Sequence, residues 1–291
     1  MERAITSGQE VLLPESTRKN RKEQKITIAV NSRDRDLSAD YDTNSFRWRL
    51  RRPLKDIVSI ELLNGCIPAD LYNINTEWNK FTFGEDTQIW NVALTPGQYT
   101  ALELAVQLQT QLNALPGKAN TYTVGYSSIT KKITISKTGP KAYTFYFLNG
   151  TYVDSLNSNT GAIESINSPA HILGFERFDY TSSGTLEAPC RADPDYCIQR
   201  VYLHVNADNS LELNRIEVGA GRKDCFHILY MDTKDGYYYL NKDPIPPLYV
   251  SYPAPISRIS ALTISIRDEF FRLVDLGRHN YTLVFEITYL N

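Results

Sequence analysis

The amino-acid sequence predicts an all-β protein, a β-sandwich that carries a small inserted α+β subdomain with one amphipathic helix. Short runs in which apolar and polar residues alternate begin at Ile26 and recur as far as Tyr289, and turn residues separate them. Many short strands with regular punctuation are typical of a sandwich. The length of 291 residues, of which 42% are apolar, suits one large all-β domain or two small ones, with a substantial core.

The first predicted strands lie between residues 25 and 68. Residues 25–30 alternate, and Phe46, Trp48 and Leu50 alternate with arginines, which gives one buried and one solvated face. The β pattern continues through residues 57–63. It ends at Ile67-Pro68, because proline cannot donate to a strand ladder.

One segment, residues 101–115, is predicted to form a helix. Thr100 and Glu103 fit a capping box, and Tyr99 and Leu104 are placed as a hydrophobic staple. Pro116-Gly117 ends the segment. Four leucines fall on one face of the helix: Leu104, Leu108, Leu112 and Leu115.

The predicted insertion, about residues 87–176, contains this helix, a hairpin of residues 122–136 and a strand at 143–148. Residues 149–169 are rich in Asn, Ser, Gly and Thr and predict a long loop. We expect strands from both ends of the chain to join one sandwich domain, residues 25–291. The last third has strand patterns at 198–205, 215–218, 226–231, 248–252, 259–266, 271–274 and 281–289.

Residues 1–24 predict an extended N-terminal arm that becomes ordered on a neighbouring molecule, since their composition cannot build a core. A run of like charge at a terminus is usually a solvated tail. As a binding element the arm would meet a protein groove, an anionic lipid face or nucleic acid. The predicted partner-binding residues are an apolar anchor and a basic stretch: Val11, Leu12, Leu13, Arg18, Lys19, Arg21 and Lys22.

Composition argues against several classes of protein. A formal net charge of −2 does not support whole-chain affinity for nucleic acid, so no specific nucleic acid is predicted as a partner. No run approaches the roughly 18 apolar residues of a membrane span, and no signal-peptide pattern is visible. Four cysteines in this length are not a disulfide scaffold. We therefore expect a protein made and kept in a reducing cytosol.

The sequence offers no constellation for catalysis or for a small-molecule substrate. The glycine pair Gly219 and Gly221 lacks the third glycine and the helix of a dinucleotide loop. No nucleophile elbow is present. The histidines stand alone, at His171, His204, His227 and His279.

Two groups of potential metal ligands are weak. The first is Cys190, Cys197 and His204, where no close cysteine pair occurs and free buried cysteines are the favoured interpretation. The second is an acidic cluster interrupted by arginines, for which a salt-bridged turn is favoured over calcium. We predict no metal and no cofactor. The acidic cluster comprises Asp34, Asp36, Asp40 and Asp42.

Several segments along residues 26–290, in their order and combination, resemble one group of viral proteins. They are Val30–Asp36, Asn44–Leu50 leading through Pro53–Leu62 to Ile67-Pro68, Leu94–Thr100, Ile172–Phe175, Ile256–Asp268 and His279–Ile287. They resemble jelly-roll minor capsid and penton-type proteins of the nucleocytoplasmic large DNA viruses. The sequence departs from these proteins at Glu269-Phe270-Phe271, where they often have a small turn of Asp and Gly.

The resemblance implies a jelly-roll fold and a structural, non-enzymatic role in an icosahedral capsid, as a minor capsid or vertex (penton) protein. The implied partners are the major capsid protein and other minor capsid proteins, with self-association in the shell and contact with the inner membrane as further options. The implied location is the virion shell, assembled in the host cytoplasm.

Two other classes stay open at this stage. A jelly-roll attachment module would bind a host glycan or receptor, with Trp78 and Trp90 as stacking residues, although Trp90 is equally suited to packing against the helix. A β-sandwich glycosidase would need two carboxylates about 5–10 Å apart. Its candidates are Glu61, Glu85, Asp179 and Asp195.

Overall fold

The computed structural model describes residues 3–6, 9–12, 21–35, 37, 42–207, 213–214, 216–218, 223–231, 236–240 and 249–291. The helices are α1 Ala101–Asn113 and α2 Ala170–Leu173, with a 3₁₀ turn at Ser32–Asp34. The strands are β1 Arg3–Thr6, β2 Gln9–Leu12, β3 Glu23–Asn31, β4 Ser45–Pro68, β5 Lys80–Glu85, β6 Gln88–Ala93, β7 Thr121–Tyr126, β8 Ile133–Thr138, β9 Tyr143–Tyr146, β10 Ser155–Leu156, β11 Ile163–Ser165, β12 Asp179–Ser182, β13 Leu186–Glu187, β14 Arg200–Ala207, β15 Ile216–Val218, β16 Lys223–Cys225, β17 His227–Tyr230, β18 Tyr237–Leu240, β19 Tyr249–Arg267 and β20 Thr282–Leu290.

The chain divides into two compact units. Unit 1 comprises residues 1–70, 201–267 and 273–291, and unit 2 comprises residues 71–200 and 268–272. The insertion predicted over about 87–176 lies within unit 2, which begins and ends further out. The last two residues of the predicted arm, Glu23 and Gln24, belong to β3.

Unit 1 is organised around one antiparallel sheet in the order β17-β14-β19-β4-β20-β3, with β18 also paired to β4. The strands from the two ends of the chain are neighbours, since β20 pairs with β3 from Thr282↔Asn31 to Leu290↔Glu23. β20 also pairs with β4 on its other side. Residues far apart in sequence therefore form the centre of this sheet.

The sheet of unit 1 curls on itself to enclose a core. Phe226, whose N–H bonds to Leu203 of β14, lies beside β17 near one edge. Its ring is 5.8 Å from that of Phe285 on β20, three strands further along than β14 in the sheet. Phe46 and Tyr281 make a second contact at 5.8 Å. The all-β sandwich predicted from the sequence is confirmed.

Two long strands replace shorter predicted ones. β4 joins the predicted strands at 46–50 and 57–63, and it bends at Asp56, whose φ is 51°. β19 joins those at 248–252 and 259–266. The prediction of a strand at 271–274 is wrong. The Asp268 carboxylate accepts hydrogen bonds from the backbone N–H groups of Phe270 and Arg272, at 2.8 and 2.9 Å, and these bonds close a turn instead.

Unit 2 contains two antiparallel sheets, in the orders β12-β9-β5-β6 and β13-β8-β7, around an aromatic core. The Phe83 ring on β5 is 5.3 Å from that of Tyr122 on β7, so side chains of the two sheets meet. The predicted helix is confirmed as α1, with both capping-box hydrogen bonds between Thr100 and Glu103. Its buried leucines are Leu104, Leu108 and Leu112.

A buried carboxylate also links the two sheets of unit 2. Glu85, at the end of β5, is 4% exposed. Its carboxylate accepts a hydrogen bond of 2.6 Å from the Tyr122 hydroxyl and one of 2.7 Å from the Ala119 N–H. The Asn120 N–H adds a third bond at 3.3 Å.

The short segment 268–272 is anchored in unit 2 by Arg272. Its guanidinium lies 4.5 Å from the centre of the Trp78 ring and bonds to the Asp268 carboxylate at 3.0 Å. It also donates to the Ile166 carbonyl at 2.8 Å.

Candidate partner-binding site

The arm residues predicted to bind a partner are described in part. Val11 and Leu12 belong to β2, which pairs with β1 in a two-stranded sheet separate from that of β3. Leu13, Arg18 and Lys19 lie outside the described residues. The prediction that these five residues bind a partner stays a prediction.

Arg21 and Lys22 lead from the arm into β3, and both are exposed. The Arg21 guanidinium bonds to the Asp56 carboxylate at 3.0 Å. The backbone of Lys22 exchanges two hydrogen bonds with that of Asn291, at 3.2 and 3.0 Å. Both residues lie where β3 and β20 reach one end of the sandwich.

Core-facing side chains lose their cover toward this end. On β3, Val30 is fully buried, Ile28 is half-buried and Ile26 is 37% exposed. On β20, Ile287 is fully buried and Tyr289 is half-buried. Burial decreases at the same level of the sheet on both strands, because Ile287 is paired with Ile26.

The same gradient occurs on β4, where Phe46 is fully buried while Trp48 and Leu50 are half-buried. The start of β3, the end of β20 and residues 48–56 within β4 surround an open cavity of about 840 Å³, here called the mouth. Its apolar floor is Ile26, Ile28, Trp48, Leu50, Leu54 and Leu290, and its basic rim is Arg49, Arg51, Arg52 and Lys55.

A β-bulge shapes the rim. Arg49 is paired with Ala261 and Leu54 with Ile259, so residues 50–53 of β4 face Ser260 alone. A bulge of this kind bends a strand and redirects its side chains. Arg51 and Arg52 are exposed within it.

The rim carries positive charge with little local compensation. Asp56, an acidic residue that lines the mouth, is bound by Arg21. In the part of the chain that the structure describes, none of the four rim residues forms an ion pair. Arg258 stands opposite Lys55 on β19 and adds a like charge beside it. Such a cluster of one sign attracts acidic partners.

β3 is the last strand of its sheet and borders the mouth. Since Lys22 and Asn291 form a hydrogen-bonded pair, alternate residues from Lys22 onward direct their backbone groups toward β20. The intervening residues Glu23, Lys25, Thr27 and Ala29 therefore direct theirs to the outer edge. That edge has the geometry to accept a further strand.

The groups weighed as metal ligands do not gather. Within the described ranges no cluster of three or more His, Cys, Asp or Glu side chains is arranged for a metal ion. Cys190 is exposed and donates toward Glu176, while Cys197 is buried and burial raises its pKa. Of the acidic cluster, Asp36 and Asp40 lie outside the described residues.

The two strand histidines are packed residues. Burial, together with the nearby Arg267, lowers the pKa of His204 to about 4. Burial alone lowers the pKa of His227 to about 4. Both are neutral near pH 7.

The carboxylates weighed for a glycosidase have other contacts. Glu85 is saturated by Tyr122 and two backbone N–H groups. Asp179 accepts hydrogen bonds from the backbone N–H groups of Leu148 and Asn149 and orders that turn. Glu61 is buried in β4 of unit 1, in a different unit from the others.

The tryptophans weighed for glycan stacking are not both exposed. The expectation for Trp78 is wrong, since it is 2% exposed and covered by Arg272. Trp90 is half-buried: its indole donates to the Pro116 carbonyl after α1 at 3.2 Å, and its ring is 6.4 Å from Phe83.

Sequence reasoning missed the mouth as a site. The alternation of apolar residues with arginines from Phe46 to Arg51 was visible, and it correctly separated two faces of a strand. The additional signal was the run Arg51-Arg52-Pro53, where two charges and a proline interrupt the alternation. Such an interruption inside a strand indicates a bulge at an edge.

Comparisons with known proteins match this chain to one family model and to solved structures. The model of a family of unknown function, DUF5901, matches residues 15–187. No curated protein matches this chain. The crystal structure of selenomethionine-labelled mavirus penton protein is similar with a TM-score of 0.46 and 9% identity, over 91% of this chain and 99% of that chain. No helix among the described residues is long and apolar enough to cross a membrane.

Proposed function

The chain belongs to the family of unknown function DUF5901, and we propose that it is a structural component of an icosahedral viral capsid that binds neighbouring capsid proteins. It would serve as a minor capsid or vertex protein of a large double-stranded DNA virus, in the virion shell. The role would be structural rather than enzymatic.

One observation carries the proposal. Four of the segments that resemble minor capsid and penton-type proteins are separated by up to about 250 residues, yet they form or adjoin neighbouring strands of one sheet, β19-β4-β20-β3. A resemblance by chance has no reason to select strands that are adjacent in space. These same strands surround the mouth, which supports a role in binding a neighbour.

The mouth also has the composition of an interface. It combines large apolar and aromatic side chains with arginines, the residue types enriched where proteins bind one another. The attachment alternative gains no comparable support, because Trp78 is buried. The partners we propose are the major capsid protein and other minor capsid proteins.

The test is to purify particles of the virus that encodes the chain and to measure its copy number by quantitative mass spectrometry. We expect a fixed number of copies per particle that survives a high-salt wash and external protease treatment of intact particles. A matched non-structural viral protein serves as the control for carry-over. Recovery from infected-cell lysate but never from purified virions would contradict the proposal.

A further inference from the structure

The chemistry of the mouth indicates what kind of partner would bind there. Its floor is apolar, its rim is positive, and the outer edge of β3 offers backbone hydrogen bonds. An occupant that satisfies all three is an extended peptide, apolar in its middle and acidic at both ends.

One segment of this sequence has that chemistry: Glu10-Val11-Leu12-Leu13-Pro14-Glu15. Three consecutive apolar residues lie between two carboxylates. In an extended chain Glu10 and Glu15 are about 17 Å apart. Arg49 and Lys55, the two ends of the rim, are paired with Ala261 and Arg258, which are three residues or about 10 Å apart on β19. The segment is therefore long enough to reach both ends of the rim.

We propose that the mouth of one molecule binds the segment Glu10–Glu15 of a second copy, added as a strand along the edge of β3. This inference rests on the proposed function and names a partner for the same surface. Within a single chain, β2 pairs with β1 in a separate two-stranded sheet and not with β3. Among the strands that the structure describes, β3 pairs with β20 alone, and the arm of a neighbour would pair with its outer edge.

The basic part of the arm is compatible with this arrangement. Arg18 is three residues beyond Glu15, about 10 Å in an extended chain. That distance is roughly one Debye length at 0.1 M salt, so its repulsion by the rim is largely screened. The arm brings its carboxylates to the rim while its own positive charges stay outside.

The experiment measures self-association of the full chain by sedimentation velocity. One variant reverses the rim, Arg49→Glu with Arg51→Glu. The other reverses the arm, Glu10→Arg with Glu15→Arg. We expect each variant alone to associate at least about tenfold more weakly than wild type, because like charges then face each other. An equimolar mixture of the two should recover association, since the reversed arm of one variant is then complementary in charge to the reversed rim of the other.

A matched control carries the same change in net charge away from the mouth: Arg191→Glu with Arg278→Glu, both exposed arginines. It should associate as wild type does. Circular dichroism of every variant checks that the chain is folded, so that lost association is not read from an unfolded protein.

Each other outcome overturns the inference. A wild-type chain that stays monomeric, or a rim variant that associates normally, removes the mouth as the site. If both variants associate weakly and the mixture does not recover, the rim and the segment Glu10–Glu15 do not contact each other. If the rim variant loses only flotation with phosphatidylserine vesicles, the occupant is lipid. None of these results bears on recovery in virions, so the proposed function is tested separately.

Discussion

Replacing Tyr122 by phenylalanine removes the hydroxyl that donates to a buried carboxylate in unit 2. The ring stays, and with it the contacts at 5.3 Å to Phe83 and 5.4 Å to Tyr143. What is lost is the 2.6 Å bond to the Glu85 carboxylate and the 3.1 Å bond that the hydroxyl accepts from the Asn120 side-chain amide. Hydrogen bonds to charged groups contribute about 1.5–3 kcal/mol, and the carboxylate keeps its bond to Ala119. We therefore expect a loss of about 2 kcal/mol.

The matched control is Tyr143→Phe. Tyr143 lies in the same core, and its hydroxyl donates to the neutral Ile135 carbonyl at 2.9 Å. A neutral bond contributes about 1 kcal/mol. The two variants remove the same atom from the same ring type, so their difference reflects the charge on the acceptor together with the bond from Asn120.

The assay is urea unfolding followed by tryptophan fluorescence. Two compact units need not unfold together, so the signal must come from one of them. Trp48 is in unit 1, while Trp78 and Trp90 are in unit 2. In a Trp48→Phe background the fluorescence reports on unit 2 alone. A Tyr122→Phe variant no less stable than Tyr143→Phe would refute the reasoning.

Three further changes have expected outcomes. The unfolding free energy should fall as pH drops from about 6.5 toward 4, because His204 and His227 bind protons in the unfolded chain but stay neutral in the folded one. In urea titrations at several pH values, His227→Gln should reduce the slope of unfolding free energy against pH by at most about 1.4 kcal/mol per pH unit. Thr100→Ala should destabilise unit 2 by about 1 kcal/mol in the fluorescence assay, with recovery in Thr100→Ser. Gly65→Ala should lower the unfolding free energy of unit 1, followed in urea by Trp48 fluorescence, by about 1–3 kcal/mol, since the added Cβ would lie 2.6 Å from the Thr282 carbonyl oxygen; an unchanged free energy would contradict this.

The elements predicted well from sequence are those that depend on near neighbours. The capping box of α1 needs only Thr100 and Glu103, three residues apart, and the hairpin of β7 and β8 closes over a short turn. In these cases the residues that stabilise the element lie within the few consecutive positions that form its sequence pattern. Local chemistry was therefore sufficient.

β5 shows why other strands were missed. A strand in a two-layer sandwich alternates only if one face meets water, yet five of the six residues of β5 are buried. Its outer face is covered by a loop, since the Thr151 N–H bonds to the Thr82 hydroxyl at 2.8 Å and Gly150 packs on the same side chain. The period of two is lost because of a contact about 70 residues away.

The mouth escaped prediction for the opposite reason. The alternation on β4 identifies Trp48 and Leu50 as core-facing, but it carries no information on where the opposing strands end. The cover depends on Ile26, which precedes the start of β4 by 19 residues (45 − 26), and on Tyr289, which follows its end by 221 (289 − 68). Exposure of an apolar face is a property of the assembled sheet.

The place of β20 between β3 and β4 also sets an order of events during synthesis. Asn31 and its partner Thr282 are 251 residues apart (282 − 31). At about 5–20 residues per second, β3 waits roughly 12–50 s for its neighbour. The seven strands of the two sheets of unit 2 are all complete by Glu187. A nascent chain that has reached residue 200 thus holds every strand of one aromatic core, while β3 and β4 still lack the strand that lies between them.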